Sequence, residues 1–403
     1  MTNEVLQKTA SDEQNVSSSN GLEPRLRFPS FDNKWTLTTI GNVCAFTNGK
    51  AHEQNVVEYG EYIIVNSKFI SSDGVVKKYS NKQICPLFKN DIVMVMSDVP
   101  NGKAMSKCFC IDKDNKYTLN QRICALRTKQ IPLYYMMQIN RNDYFMKFDD
   151  GVKQTNLRKD DVLACPVYST TIKEQTKIAD FLSLIDQRIE KQRRLVESLK
   201  KYKRGLFLKL YNDSEKKGYK ICDLGKYCAT GALSKDDIDA SGKYPCILYG
   251  ELFTKYGEVI KQVASRTNII PTYLSGTNEI LFPSSTTADA QSLIFPSSLK
   301  IKNIFLGGDL FTIKLKNEFD SDFISYLVNF KYKNTLARYA QGITIIHLHY
   351  TDIKEQVIDI PNVNTQFNIS SVMRKIEMII EMNSNELNSL LLMKKGFLQK
   401  MFI

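Results

Sequence analysis

The chain has 403 residues, of which 43% are hydrophobic and 10% aromatic, and it carries a formal net charge of +12. That length supports two or three domains with real cores, and no apolar run approaches the roughly 20 residues a membrane-spanning helix needs. The excess positive charge favours polyanionic partners, above all nucleic acid, with solvated helix faces as the plain alternative.

Residues 1–22 are polar and rich in Ser and Asn, and they lack the basic start and apolar core of a signal peptide. They are expected to be a disordered leader. Residues 23–168 hold short alternating runs bounded by Gly, Asn and Asp, the pattern of strands and hairpins. Examples are GEYIIVNSKFISSDGVV (60–76), NDIVMVMS (90–97) and NQRICALR (120–127), followed by a helix-like segment over 132–148. Residues 169–212 form a long helix. A second globular stretch, 213–362, then repeats the plan. GKYPCILYGELFTKYGEVI (242–260) parallels 60–76, NEILFPSS (278–285) parallels 90–97, and GGDLFTIK (307–314) parallels 120–127. A helix-like segment over 320–338 follows, and GITIIHL (342–348) parallels GVKQTNL (151–157). Residues 363–403 form a second long helix.

The two helices match without a gap, residue 173 aligning with residue 364. Identical pairs include Gln175/Gln366, Ile178/Ile369, Ile185/Ile376, Leu199/Leu390, Lys203/Lys394 and Gly205/Gly396. An internal repeat of this length means a duplicated module, globular part plus helix, twice. Apolar residues step alternately by four and three along each helix. The series run Ile178, Leu182, Ile185, Ile189, Gln192, Val196, Leu199, and Ile369, Met373, Ile376, Ile380, Asn383, Leu387, Leu390, with Lys203 and Lys394 continuing them. This is a coiled-coil seam, and the two copies are expected to cover each other. Gln192 and Asn383 share one seam position, where an amide either fixes register or sits wet at a splayed point. The expected fold class is α+β: two similar domains of mixed or antiparallel strands plus short helices, separated by two long antiparallel coiled-coil helices with pseudo-twofold symmetry. At this stage the helices read as rigid spacers, not core helices.

Nine cysteines are scattered without a C-x-x-C pair, which points to reduced thiols in a cytoplasm. Residues 173–211 hold eleven Lys/Arg against five Asp/Glu, and residues 364–402 hold five against three. No Walker loop and no N/D-P-P-Y/F run of an amino-methyltransferase is present. His347-x-His349 on a strand would share one face. With only His52 besides and no clustered thiols, the pair reads as part of a polar loop rather than a metal site.

The opening EPRLRFPSFDNKW (23–35) and the twin helix endings KKYKRGLFLKLY (200–211) and LLMKKGFLQKMF (391–402) resemble the specificity subunits of bacterial type I restriction–modification systems. The layout of variable domain, shared helix, variable domain, shared helix is similar too. The resemblance implies a non-catalytic DNA-reading subunit in the bacterial cytoplasm. Each globular half would be a target-recognition domain for one half of a bipartite, asymmetric site in double-stranded DNA. The helices would set the spacer and dock two adenine-methylating modification subunits, with restriction subunits joining the complex. It implies no membrane partner and no cofactor on this subunit. S-adenosylmethionine, and ATP with magnesium for restriction, would belong to the partners. A stand-alone DNA binder on the same scaffold is the alternative. Apolar residues outside the seam, Phe181, Leu184, Ile379 and Leu392, favour the subunit that has protein partners.

Base reading calls for short polar side chains and Arg or Lys on loops, and phosphate contact for cations and hydroxyls. In the first half the candidates are Lys50, Asn66, Lys68, Asn101, Lys103, Asn120, Arg122, Gln154, Asn156 and Arg158. In the second they are Tyr249, Lys255, Ser284, Ser285, Thr286, Thr287, Gln291, Gln341, His347 and His349. The groups GVKQTNLRK (151–159) and PSSTTADAQS (283–292) are densest in hydrogen-bonding side chains. The run KQRR (191–194) faces spacer phosphates, a partner's acidic surface, or water.

Overall fold

The protein is described by a computed structural model over residues 23–98, 104–130, 132–148 and 155–402. The expected leader, 1–22, lies outside the described residues. The chain divides into two compact units, the first running to Lys191 and resuming from Leu387, the second spanning Gln192–Glu386. Each unit therefore takes half of each long helix. The first helix is continuous over Ile172–Asn212 and the second over Val363–Met401. At 1.5 Å per residue the first is about 60 Å long.

In the first unit an antiparallel sheet orders strands Cys44–Asn48, Ile123–Thr128, Ile92–Val95 and Cys108–Cys110. A second, mixed sheet carries Tyr62–Val65 parallel to Tyr117–Leu119. Thr36–Thr39 pairs with Pro166–Ser169 and so ties the start of the globular part to its exit. The second unit repeats this plan. Gly225–Ala229, Leu310–Leu315, Glu279–Pro283 and Ser297–Leu299 correspond, with Val259–Ile260 added as an edge strand. Tyr244–Leu248 runs parallel to Phe305–Gly307, and Lys217–Lys220 pairs with Val357–Ile360.

The ends of the long helices are core elements, contrary to the spacer-only reading. Ile178, Leu182, Ile185, Ile189 and Leu390 are buried in one cluster with Trp35, Met94, Leu126 and Met137. Ile369, Met373 and Ile376 are buried with Phe207, Phe311 and Phe323 in the second unit. A stripe that hides against a partner helix hides equally well against a sheet, so periodicity alone does not separate the two. Val196 is also buried, whereas Leu199, Ile380 and Leu387 are half-buried. Phe181, expected on an outer face, packs edge-on against Phe28 and Phe397 at 5.8 and 4.9 Å.

Within each unit the helix halves run antiparallel, as their polar pairs show. Lys394 Nζ meets Asp186 at 2.7 Å in the first. Lys203 Nζ meets Glu377 at 3.0 Å in the second, and also Glu258 at 2.9 Å. Repeat alignment places Lys203 on Lys394 and Glu377 on Asp186. A tyrosine completes each group. Tyr135 donates to Asp186 at 3.1 Å, and the Tyr326 ring lies 5.3 Å from Lys203 Nζ. Gln192 Nε2 donates to the Asn383 carbonyl and to its Oδ1, at 3.0 and 2.9 Å, so the seam amides pair with each other. The repeated glutamine is explained in the same way. Gln175 Nε2 donates to the Thr170 carbonyl and Gln366 Nε2 to the Pro361 carbonyl, at 2.7 and 2.8 Å, each five residues back.

Burial opposes the charge of Lys203, and the fields of Glu258 and Glu377 overcome it, raising its pKa. Two carboxylates share one ammonium, and Glu377 is the one left short. Its burial, aided by Glu258, outweighs Lys203 and raises its pKa. Lys203→Ala leaves two carboxylates in the interior and is expected to cost about 3–5 kcal/mol at neutral pH. With the lysine gone, Glu377, which burial already raises, titrates higher still relative to the unfolded chain. Its penalty is therefore relieved as pH falls through that raised value, and the deficit shrinks in acid. Urea unfolding of the variant and wild type at neutral and mildly acidic pH checks this; a deficit that grows in acid refutes the sharing. Lys394→Ala should cost less, because its partner Asp186 is 35% exposed.

Candidate nucleic-acid interface

In each unit a short two-stranded ladder sits beyond the end of the main sheet. In the first, Ser97–Asp98 pairs with Thr155–Asn156, setting Ser97 opposite Asn156. In the second, Ser285–Thr286 pairs with Ile346–His347, setting Ser285 opposite His347. The backbone that holds them corresponds as well. Leu157 N donates to the Met96 carbonyl and Met96 N to the Arg122 carbonyl, at 2.8 and 2.9 Å. Leu348 N donates to the Ser284 carbonyl and Ser284 N to the Asp309 carbonyl, at 2.9 and 2.8 Å.

Around the first ladder the fold gathers Arg122, Asn156, Asn120 and Lys50. Lys50 bridges Asn120 in parallel register, and Gln121 N donates to the Lys50 carbonyl at 2.9 Å. Lys50, Arg122, Asn156 and Arg158 are exposed. Asn120 Oδ1 is buried without a partner, an acceptor still open. Arg122 holds φ at +67°, a left-handed conformation that costs an arginine about 1 kcal/mol. Its guanidinium is thus aimed by backbone that the chain would otherwise avoid. Lys68 is exposed on the short helix Ser67–Ser71, which Asn66 caps by accepting from Phe69 N at 2.9 Å. Arg158 N donates to Asp161, starting the helix Lys159–Leu163. Asn101, Lys103 and Gln154 lie outside the described residues.

Around the second ladder stand Ser284, Thr286, Gln341, His347 and His349. Gln341 and His347 exchange backbone hydrogen bonds at 2.9 and 2.7 Å, and the His347 and His349 rings are parallel with centroids 6.2 Å apart. Gln341, His347, His349, Thr287 and Gln291 are exposed. Among the described residues no group of three or more His, Cys, Asp or Glu side chains could share a metal ion. His52 is buried and structural, its ring nitrogens 2.7 Å from the Lys50 carbonyl and 2.8 Å from Thr118 Oγ1.

Two candidates are already engaged within the fold, and the first of them is corrected. Ser285 is buried and donates its hydroxyl to Asp309 at 2.9 Å, bracing the ladder rather than facing outward. Lys255, one helical turn on from Glu251, is held by that carboxylate at 2.6 Å and by Ser265 at 2.9 Å. Tyr249 is half-buried at the start of the helix Tyr249–Thr254. Sequence reasoning missed Asp309 and Ser97. The repeat alignment held the signal, since it sets Asp309 against Arg122 and Ser97 against Ser285.

Residues 32–200 and 213–392 match the family described as "Type I restriction modification DNA specificity domain". The chain belongs to that family. Its fold is similar to the type I restriction–modification S subunit from M. genitalium, at 18% identity and TM-score 0.60, over 95% of this chain and 99% of the other. It is also similar to a chain from a structural study of complex assembly and conformational transition of the type I R-M system, at 13% identity and TM-score 0.51, over 91% and 97%. In this specificity chain the two ladders occupy corresponding places in the two matched stretches.

The ladder geometry separates two neighbouring residues in the second unit. His347→Ala should leave the melting temperature near wild type and weaken or relax recognition of one half-site by about 1–3 kcal/mol, the worth of a base contact. Ser285→Ala, which removes a buried hydroxyl bonded to Asp309, should lower stability first. Thermal melts beside DNA-binding titrations distinguish them; the reverse pattern would remove His347 from the interface.

Proposed function

We propose that this chain is the non-catalytic sequence reader of a type I restriction–modification complex in the bacterial cytoplasm. Each unit reads one half of a bipartite, asymmetric target in double-stranded DNA through its ladder cluster. The long helices set the spacer and dock two adenine-methylating modification subunits, through which restriction subunits join. The partners bring S-adenosylmethionine for methylation, and ATP with magnesium for restriction.

One observation carries the reading: the same backbone ladder, built once per unit, presents different side chains. Lys50, Asn120, Arg122 and Asn156 stand at the first, and Gln341, His347 and His349 at the second. Equal scaffolds with unequal side chains suit two unlike half-sites. Docking is supported by apolar side chains that the long helices leave outside. Leu184 is 64% exposed, Met382 70% and Leu392 70%, more apolar surface than isolated helix faces require. Gly205 and Gly396 point the same way. Nothing lies within 4 Å of a Cβ placed at either, although a helical glycine costs about 1 kcal/mol against alanine. A close-packed partner accounts for a bare backbone at both positions. No helix among the described residues is long and apolar enough to cross a membrane.

Co-expression with a modification subunit of the same system in a methylation-free host tests the proposal. Genome-wide mapping should show methylated adenine in a single bipartite motif with a fixed gap. Exchanging residues 30–168 for another subunit's first domain should change one half of that motif and keep the other. If both halves change, the modular reading is wrong; a stable complex that methylates nothing reduces the chain to a scaffold.

A further inference from the structure

The second unit contains a cavity of about 910 Å³ that the ladder cluster does not use. One wall is a π-turn, Val328–Tyr332, set between the helices Ser321–Leu327 and Lys333–Ala337. Such single widened turns are rare, and those that occur are frequently at functional sites. At the corresponding place in the first unit, Leu133–Asp143 is one α-helix, so the feature belongs to the second unit. The π-turn brings Asn329 and Phe330 to the cavity, with Lys333 just beyond.

Asn329 is 6% exposed. Its Nδ2 donates to the Pro296 and Ser325 carbonyls at 2.8 and 2.9 Å. Both partners only accept, so the amide cannot be flipped, and its Oδ1 is left buried without a partner. It calls for a donor. The cations on the wall call for an anion. Lys203 is neutralised by Glu258 and Glu377, and Lys261 by Glu381 at 2.8 Å. Arg204 and Lys333 form no ion pair among the described residues. Arg204 reaches only the Phe330 carbonyl at 3.4 Å, and Lys333 Nζ stands 5.6 Å from the Phe295 ring. Burial lowers the Lys333 pKa against the pull of Asp289, and Arg204 adds to the effect. An anion placed between the two would offset both effects. Phe295 and Phe330 give the cavity a flat apolar side.

We propose that this cavity binds a nucleoside polyphosphate: phosphates between Arg204 and Lys333, a sugar hydroxyl or base amine donating to Asn329 Oδ1, and the base against Phe295 and Phe330. The volume lies in the range of small-molecule sites. The chain itself would then bind a nucleotide, where the family resemblance places nucleotides only on partner subunits.

The test is calorimetry on the full-length chain with ATP, with adenosine and inorganic pyrophosphate as the separate halves. Saturable binding at one ATP per chain is expected. Pyrophosphate should compete, and adenosine alone should bind at least tenfold more weakly. Lys333→Ala and Arg204→Ala should each weaken ATP tenfold or more without lowering the melting temperature; Arg204 is exposed, so its variant folds even if Lys333→Ala does not. No saturable binding, or binding that both variants leave unchanged, overturns the proposal. So does displacement of ATP by a short non-target duplex in the wild type but not in the variants, which would make the pair a contact for nucleic-acid backbone.

Discussion

The structure turns on a lysine held across two helices. At the one seam position where each long helix replaces an apolar residue with Lys203 or Lys394, the ammonium reaches a carboxylate on the opposite helix, and a tyrosine from the globular part closes the group. A buried charge of this kind tolerates one geometry only. Sliding either helix by a turn would strand an ammonium and a carboxylate in the interior, at a cost of several kcal/mol. The apolar seam alone accepts such a slide, since Ile, Leu and Met fill one another's places with little loss. Register is thus set by polar residues and adhesion by apolar ones, and the Gln192–Asn383 pair adds a second fixed point.

Duplication explains why the same residue types recur, and the local surroundings explain why they do not behave alike. In the second unit the lysine is buried and serves two carboxylates that are themselves largely shielded from water. In the first it serves one, and that carboxylate is more open to water. The two copies of one motif therefore contribute unequally to stability, although the sequence shows them as equals. The ladders behave in the opposite way. Their backbones are alike and their side chains differ, which is the arrangement expected where architecture must stay fixed while recognition changes.

The repeat, the long helices, the strand runs and the helix-like segments were legible because each is written in local periodicity or in a second copy of itself. The meeting of Ser97 with Asn156, or of Ser284 with Leu348, was not, because long-range pairing leaves no local pattern. Ser285 was misjudged for a related reason. A serine in a polar loop looks the same whether its hydroxyl faces solvent or is buried against Asp309. The π-turn over Val328–Tyr332 was invisible because VNFKY is an ordinary helical sequence, and the widening arises from what packs around it. The long helices read as spacers because a stripe at helical spacing does not say whether a sheet or a helix covers it.

With the proposed recognition side chains on the short ladders and the register-setting charges on the long helices, labour divides along physical lines. A buried ion group punishes nearly every substitution, so residues such as Lys203 and Glu377 are closed to change. Exposed side chains at the ladder ends, such as Gln341 and His347, carry little of the folding energy and can be exchanged within a few tenths of a kcal/mol. Ser97 and Ser285 lie between these extremes, since their strands hold the ladder in place while their neighbours face outward. A chain built this way can alter what it reads without altering how it assembles. That separation requires the register to come from the helices, because a reader whose loops also fixed the fold would lose stability each time its target changed.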